Sequence, residues 1–253
     1  MKEYFENEEG VVALILGDSV AKNEARSYSD LDGMVIFSDS AYEKRAAEGK
    51  PLAECVFGRC AYPEGYFDVK YFTKKYLEEA AERGSDPTRN SFVDCKNIFS
   101  NDNEIEKLIE RIRIYPKDKK TERIKLFHSV LRLSSGYFFN DALASGDPYM
   151  LCKCCFEIVY AGLRMLYALN EEFFPSHKKL IEYSERLARK PEGLTSMART
   201  LCEKRDAVSR DAFVGAVIGF ADWGSDLEAG CGWTYVEKME QSWRNSEDNV
   251  YEI

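Results

Sequence analysis

The stretch from Val11 to Phe37 constrains the fold of this chain more than any other. An apolar run, Val11 to Leu16, ends at Gly17-Asp18-Ser19, and a second apolar run, Met34 to Phe37, follows Asp30-Leu31-Asp32. Short apolar runs bounded by turn residues are typical of buried strands. The pattern predicts a strand, a tight turn, a short helix and a second strand.

Asp30 and Asp32 are the first candidate functional residues, because side chains two apart on a strand point the same way. Two carboxylates held together repel each other unless a positive charge lies between them. A hard divalent cation such as Mg²⁺, which prefers oxygen ligands, suits that place. The alternative is that both are ordinary loop acids. The strands on either side and the Gly-x-Ser turn at this distance favour the metal site.

The turn before them predicts a phosphate site. Gly17 can take a positive φ and allows a ligand to come close to the backbone. Ser19 is a suitable N-cap for a helix that begins near Val20, and the free N–H groups at a helix start bind phosphate. A phosphate turn that faces paired carboxylates is a layout for phosphoryl or nucleotidyl transfer.

The segment GDSVAKNEARSYSDLDGMVIF resembles the signature of nucleotidyltransferases related to DNA polymerase β: Gly-[Gly/Ser]-Ser, a spacer, then Asp-x-Asp before an apolar strand. It is most similar to the small bacterial antibiotic and minimal nucleotidyltransferases, which often have Arg-Gly-Glu-Ala where Lys22-Asn23-Glu24-Ala25 stands here. Two positions depart from the pattern. Asp18 replaces a usual Gly or Ser and adds a negative charge to the phosphate turn, and Gly33 replaces a usual aliphatic residue.

The resemblance implies two Mg²⁺ ions held by Asp30 and Asp32, with ATP or another nucleoside triphosphate as co-substrate. The family's third metal carboxylate lies on a later strand in an apolar setting, and Asp68 in YFDVKYF matches it. The alternative is that Asp68 faces solvent, since Lys70 points the same way. If Asp68 is the third metal ligand, the side chain of Lys70 would also face the cleft and contact a phosphate group of the nucleotide. The residues predicted to bind nucleotide are Gly17, Asp18, Ser19, Lys22, Lys70, Lys178 and Lys179.

A charged, proline-bearing linker, Tyr115 to Lys120, separates the mixed pattern before it from a wholly helical pattern after it. It predicts a domain boundary near residue 115. Together with the resemblance, this implies a nucleotidyltransferase catalytic domain at 1–115 and a helical substrate-binding domain at 116–253. The predicted fold class is α+β: a mixed sheet with flanking helices, then an α-helical bundle. The active cleft is expected between the two domains.

In the helical half, Lys153, Glu157, Tyr160 and Arg164 recur at helical spacing as a polar stripe, which we expect to face solvent, a polar surface or a cleft. The sequence around this stripe, from Arg164 to Asn170 and from Phe174 to Lys179, resembles the C-terminal half of kanamycin- and lincosamide-type nucleotidyltransferases, in which a carboxylate can act as general base. That resemblance makes Glu157 the candidate base, with a surface charge network as the alternative. Lys178 and Lys179 are candidates for the triphosphate, with solvated surface as the alternative.

Composition limits the remaining possibilities. The net charge of −9 argues against nucleic-acid binding by charge and suits a cationic acceptor. The N-terminus lacks the apolar region of a signal peptide, and no apolar run approaches the ~20 residues of a membrane span. The eight cysteines match no zinc template, so we expect reduced thiols in a cytoplasmic protein.

The predicted function is the Mg²⁺-dependent transfer of a nucleoside monophosphate, AMP from ATP, onto a hydroxyl of a small molecule such as an aminoglycoside- or lincosamide-like antibiotic. The alternatives are an antitoxin-like AMP-transferase that modifies a partner protein, and a non-catalytic nucleotide-binding interaction protein. The sequence leaves the acceptor, the nucleotide and the oligomeric state open, although related enzymes are often homodimers.

Overall fold

The computed structural model describes residues 1–25, 29–60, 62, 64–224 and 226–244. The chain forms two compact units, Met1–Ile114 and Tyr115–Ile253. The first contains a β-sheet with helices, and the described part of the second is helical. The predicted α+β fold class, a mixed sheet with flanking helices followed by a helical region, is confirmed.

The sheet has five strands in the order β3-β4-β2-β1-β5. The parallel pair is β2 with β4, and the other neighbours are antiparallel. The two apolar runs on either side of the turn form strands, as predicted, and the structure pairs these strands with each other. The strand bounds are β1 Val11–Leu16, β2 Leu31–Phe37, β3 Ala53–Phe57, β4 Tyr66–Thr73 and β5 Lys96–Ser100.

Both faces of the sheet carry apolar residues, so the strands alternate between two cores. Met34 and Ile36 of β2 pack on one side with residues of three helices, and Val35 and Phe37 pack on the other side. The helices of this unit are α1 Lys2–Phe5, α2 Asp18–Ala21, α3 Asp39–Ala47, α4 Lys74–Arg83, α5 Asp86–Phe92 and α6 Glu104–Ile112. The first core uses α4, α5 and α6.

Two helices of this unit begin behind a serine cap. Ser38 caps α3 by accepting a hydrogen bond from the backbone N–H of Ala41. Ser85 caps α5 by accepting a hydrogen bond from the backbone N–H of Thr88. In both cases the serine one place before the first helical residue satisfies an otherwise free N–H group.

The second unit is built around α9 (Pro148–Asn170), whose buried residues form much of its core. Asp147 caps this helix by accepting hydrogen bonds from the N–H groups of Tyr149 and Met150. A π-helical turn, Ser134–Phe138, lies between α7 (Lys120–Leu133) and α8 (Phe139–Ser145). The helix bounds are α7 Lys120–Leu133, α8 Phe139–Ser145, α9 Pro148–Asn170, α10 Leu180–Ser184, α11 Leu194–Lys204, α12 Ala207–Ile218 and α13 Asp226–Tyr235.

None of the helices formed by the described residues is both long and apolar enough to cross a membrane.

Candidate functional site

Three aspartates meet at one end of the parallel strand pair. Asp32 on β2 and Asp68 on β4 lie directly opposite each other in the parallel register. Asp30 immediately precedes β2. Each offers a carboxylate oxygen, and these three oxygens all lie within 4.8 Å of one another. Three like charges this close repel, which makes the arrangement costly without a cation.

The alternation of β4 explains why Asp68 points to this place. Phe67, Val69 and Tyr71 are buried in one core. Asp68 and Lys70 therefore project from the opposite face of the strand. Asp68 is half-buried and Lys70 is exposed, and both line a cavity rather than a flat solvated surface.

A tyrosine on the same face of β4 holds the first aspartate. Tyr66 donates a hydrogen bond from its hydroxyl to Oδ2 of Asp30, over 3.0 Å. This bond to a carboxylate raises the pKa of Tyr66, because an ionised phenol would lose the bond and repel Asp30. The hydroxyl of Tyr62 also donates to the carbonyl of Ser29, 2.5 Å away, next to Asp30 in the chain. Asp30 lies outside β2. The hydrogen bonds from Tyr66 and Tyr62 therefore fix its position in place of the backbone hydrogen bonds of the sheet.

A cavity of about 230 Å³ opens beside the aspartates. Four of the predicted site residues line it. The complete lining is Gly17, Asp32, Gly33, Met34, Asp68, Lys70, Phe72, Tyr76, Pro87, Thr88 and Ser91. Within the described part of the chain, Lys70 forms no ion pair, so its ammonium group is available to an anion in this space.

Gly17 does not use the positive φ that is open to glycine. Gly17 is not among the glycines with positive φ, and its N–H already donates to the carbonyl of Asp32, over 2.9 Å. A Cβ added here would lie 3.6 Å from the Ser91 carbonyl oxygen and 3.7 Å from Met34 Cε, which are ordinary contacts. Gly17 therefore lines the cavity without any backbone requirement for glycine, and its N–H is already used inside the sheet.

The predicted N-cap is wrong as well. Helix α2 begins at Asp18, so Ser19 lies within the helix and not before it. Ser19 and Lys22 are half-buried and do not line the cavity. The carbonyl of Ser19 accepts a hydrogen bond from the N–H of Glu24. The side chain of Asp18 lies outside the described part of the structure, so the effect of its added charge stays untested.

Gly33, the other departure from the family pattern, has a packing explanation. It follows Asp32 on β2 and so faces the core on the other side of the sheet. A Cβ at this position would lie 2.9 Å from Met1 Cε and 3.1 Å from Met1 Sδ. The side chain of Met1 thus occupies the space that an aliphatic residue would fill, and the substitution leaves the metal-facing side unchanged.

The donor set fits a divalent metal. Three carboxylates supply only oxygen ligands, which suits a hard cation and not zinc in a thiolate or imidazole site. No other group of three or more potential ligands is this close among the described residues.

Most of the polar stripe of the helical unit is buried, and solvent was only one of the three environments expected for it. Glu157 is 1% exposed, and Tyr160 and Arg164 are also buried. The two oxygens of Glu157 accept hydrogen bonds from Lys153 Nζ over 2.6 Å and from Ser134 Oγ over 2.8 Å. Its role as general base stays a prediction, but these contacts are those of an acid that stabilises a helical core.

The two predicted triphosphate lysines also lie in the helical unit. Lys178 is exposed, whereas Lys179 forms an ion pair with Glu182 over 2.9 Å and lies over the ring of Tyr183. An ion pair between neighbouring surface residues is the simpler role for Lys179. A role for either lysine in nucleotide binding stays a prediction.

Sequence reasoning missed Tyr66 and the far wall of the cavity. The alternation of β4 contains the signal for Tyr66, which is two residues before Asp68 and therefore on its side. The wall formed by α5, with Pro87, Thr88 and Ser91, carries no such signal, because only packing brings this helix to the sheet.

No protein-family model matches the chain, and no curated protein sequence matches it. Among solved structures, the chain is similar to the crystal structure of a nucleotidyltransferase-like protein from Exiguobacterium sibiricum 255-15. The similarity has a TM-score of 0.48 at 10% sequence identity, and it covers 95% of this chain and 78% of the other.

Proposed function

We propose that this protein is a Mg²⁺-dependent nucleotidyltransferase that moves AMP from ATP onto a hydroxyl group of a small molecule. The observation that carries the proposal is the convergence of Asp30, Asp32 and Asp68 within 4.8 Å, next to a cavity lined by Gly17 and Lys70. The sequence resemblance over residues 17–37 also supports it, because the Gly-x-Ser turn, the spacer and the Asp-x-Asp before an apolar strand imply a metal-binding role for Asp30 and Asp32.

In this proposal the three aspartates hold the divalent cations. When bound, such cations neutralise phosphate charge and lower the pKa of the attacking hydroxyl. The chain itself supplies position: Asp32 and Asp68 are fixed by the register of two paired strands, and Tyr66 fixes Asp30. Catalysis would rest on orientation and charge neutralisation, since phosphoryl chemistry needs little covalent help from side chains.

Lys70 is the residue that we propose contacts the outer phosphates. It lies two residues after Asp68 on the same face of β4 and lines the same cavity. An exposed lysine with no described ion pair can bind a phosphate as a point charge. The N–H of Gly17 is excluded from this role because it already donates to Asp32.

The charge of the chain and the sequence resemblance both bear on the class of acceptor. The net charge of −9 suits a cationic acceptor such as an aminoglycoside-like antibiotic, and a lincosamide-like acceptor follows from the sequence resemblance. We propose that residues 1–115 form the catalytic domain and that residues 116–253 bind the acceptor. A cytoplasmic location and a homodimeric assembly are part of the same proposal.

The test is to incubate the purified protein with Mg²⁺, ATP and a pool of hydroxyl-bearing acceptors, and to follow adenylylated products by mass spectrometry. The expected result is one adenylyl group on a small molecule and loss of the product in Asp32→Asn. Asp39→Asn is the matched control, since it makes the same change at an exposed site outside the cavity. Adenylylation of a co-purified protein would instead indicate the antitoxin-like class. No product and no Mg²⁺-dependent ATP binding would overturn both.

A further inference from the structure

The helical unit contains a second cavity, of about 300 Å³, that the proposed reaction does not use. Five of its lining residues lie on α9 at positions 152, 155, 156, 159 and 160, which is the spacing of one helix face. The others come from the segment around α10 and from the end of α11. The lining is Cys152, Cys155, Phe156, Val159, Tyr160, His177, Leu180, Ile181, Cys202 and Arg205.

The wall of this second cavity is flat and aromatic. The rings of Phe156 and Tyr160 are parallel within 6°, with centroids 5.6 Å apart. The imidazole of His177 lies 5.0 Å from the ring of Tyr160 and is tilted by 36°. Phe156 is 43% exposed although it belongs to this cluster. The exposed ring surface beside a buried apolar floor is suited to a flat ligand that stacks or packs edge-on.

One cation lies at the rim. Arg205 is exposed, and its left-handed backbone ends α11. Its Nη1 donates to Sγ of Cys152 over 2.9 Å. Within the described residues it has no carboxylate partner. A guanidinium group binds a carboxylate through two parallel hydrogen bonds, so Arg205 can exchange a weak thiol acceptor for a strong anionic one.

The three cysteines of the cavity act as apolar lining. They are not close enough to one another to share a metal ion. Among the described residues, only the three aspartates of the first unit form such a group of ligands. All three are free thiols. Burial raises the pKa of Cys155 to about 12, so that thiol stays neutral and packs as a small hydrophobe. The chemistry of the cavity is therefore apolar and aromatic, with one cation.

We propose that this cavity binds a small, flat aromatic carboxylate. Its ring system would lie against Phe156, Tyr160 and His177, and its carboxylate would pair with Arg205. The volume is at the lower end of the range for small-molecule sites, which favours a compact ligand of one or two fused rings. The site needs neither Mg²⁺ nor nucleotide, so the inference is independent of the proposed transfer reaction.

The test uses 2-naphthoate as the probe and its neutral isostere, naphthalene-2-carboxamide, in calorimetric titrations of the full chain without metal or nucleotide. We expect 2-naphthoate to bind more tightly than the carboxamide. Arg205→Gln should weaken naphthoate binding by about tenfold to a hundredfold, as for a lost charge-assisted bond, and leave carboxamide binding unchanged. Lys204→Gln, which removes the neighbouring exposed cation outside the cavity, should leave both unchanged.

A second variant tests the location. Cys202→Trp places a large side chain at the exposed edge of the cavity and should abolish binding of both probes, with thermal unfolding used to confirm that the variant is folded. Asp32→Asn should bind 2-naphthoate as well as the parent protein does. Equal binding of the acid and the amide, unchanged binding in Arg205→Gln, or no binding of either probe at millimolar concentration would overturn the inference. None of these outcomes bears on nucleotidyl transfer.

Discussion

The two units place acidic side chains in opposite ways. In the sheet unit, Asp30, Asp32 and Asp68 are half-buried and bring their carboxylates within 4.8 Å of one another. In the helical unit, Glu157 is almost completely buried, and both of its oxygens accept hydrogen bonds from Lys153 and Ser134. One arrangement concentrates negative charge, and the other neutralises it within the fold.

This difference separates an acid that serves a ligand from an acid that serves the structure. Clustered carboxylates cost stability in the free protein and regain it when a cation binds. A buried carboxylate that is matched by an ammonium group and a hydroxyl contributes to the folded state itself, and removal of either side is costly. Both kinds of acid lie within apolar segments of the sequence, so the sequence pattern alone does not distinguish an acid that binds a ligand from one that stabilises the fold.

The largest expected effect concerns the aspartates. Asp68→Asn should remove the thermal stabilisation that Mg²⁺ or Mn²⁺ gives the parent protein, which is about 2.7 kcal/mol at a hundredfold excess over Kd. Without metal the variant should be at least as stable as the parent, because one repulsive charge is gone. Thermal unfolding with and without metal measures both. A clear loss of stability in the metal-free variant would contradict the claim that the three carboxylates repel one another in the metal-free protein.

The next effect concerns Glu157. Glu157→Leu should lower the free energy of unfolding by about 1–3 kcal/mol, because it deprives the buried hydroxyl of Ser134 and the amine of Lys153 of their acceptor. The exposed Glu203→Leu is the control and should change stability by less than about 0.5 kcal/mol. Urea unfolding gives both values. Normal stability together with lost transferase activity would restore Glu157 as a catalytic candidate.

Tyr66→Phe tests whether the tyrosine hydroxyl holds Asp30 in place at the metal site. Loss of the hydroxyl that donates to Asp30 should weaken metal binding by about tenfold, as for other groups that orient a metal ligand. The global fold should be unaffected, since the ring remains. Calorimetric titration with Mn²⁺ measures the change, and Tyr4→Phe, which alters a tyrosine away from the aspartates, is the control. Unaltered affinity would show that the strand register alone fixes Asp30.

The smallest effect is a pH dependence of the helical unit. Burial lowers the pKa of His128 below its usual 6.5, despite Glu228 Oε1 at 3.4 Å from Nε2. The folded state therefore binds fewer protons than the unfolded state in that range. Stability should fall as the pH drops from about 6.5, by at most ~1.4 kcal/mol per pH unit. Unfolding curves between pH 5 and 7 measure how steeply the free energy of unfolding changes with pH. His128→Gln should make this dependence weaker, and the control His177→Gln, at an exposed histidine, should leave it unchanged.

Several elements were predictable because they depend on local pattern. The apolar run of β1 has the predicted bounds, and Asp147 caps α9 as its sequence indicates. The alternation of β4 correctly placed Asp68 and Lys70 on one face. The details of the turn were not predictable: the φ of Gly17 and the start of α2 at Asp18 depend on how the turn is bonded to β2.

The amino-acid sequence was enough to locate the two strands on either side of the turn, because short apolar runs bounded by turn residues form buried strands. It also placed Asp68 and Lys70 on one face of β4, because side chains on a strand alternate with a fixed period. Only the tertiary structure decided that β4 lies parallel to β2 with Asp68 opposite Asp32, that α5 closes the cavity, and that Glu157 is buried. These are contacts between residues far apart in the chain, and they depend on which faces pack together, which local periodicity does not encode.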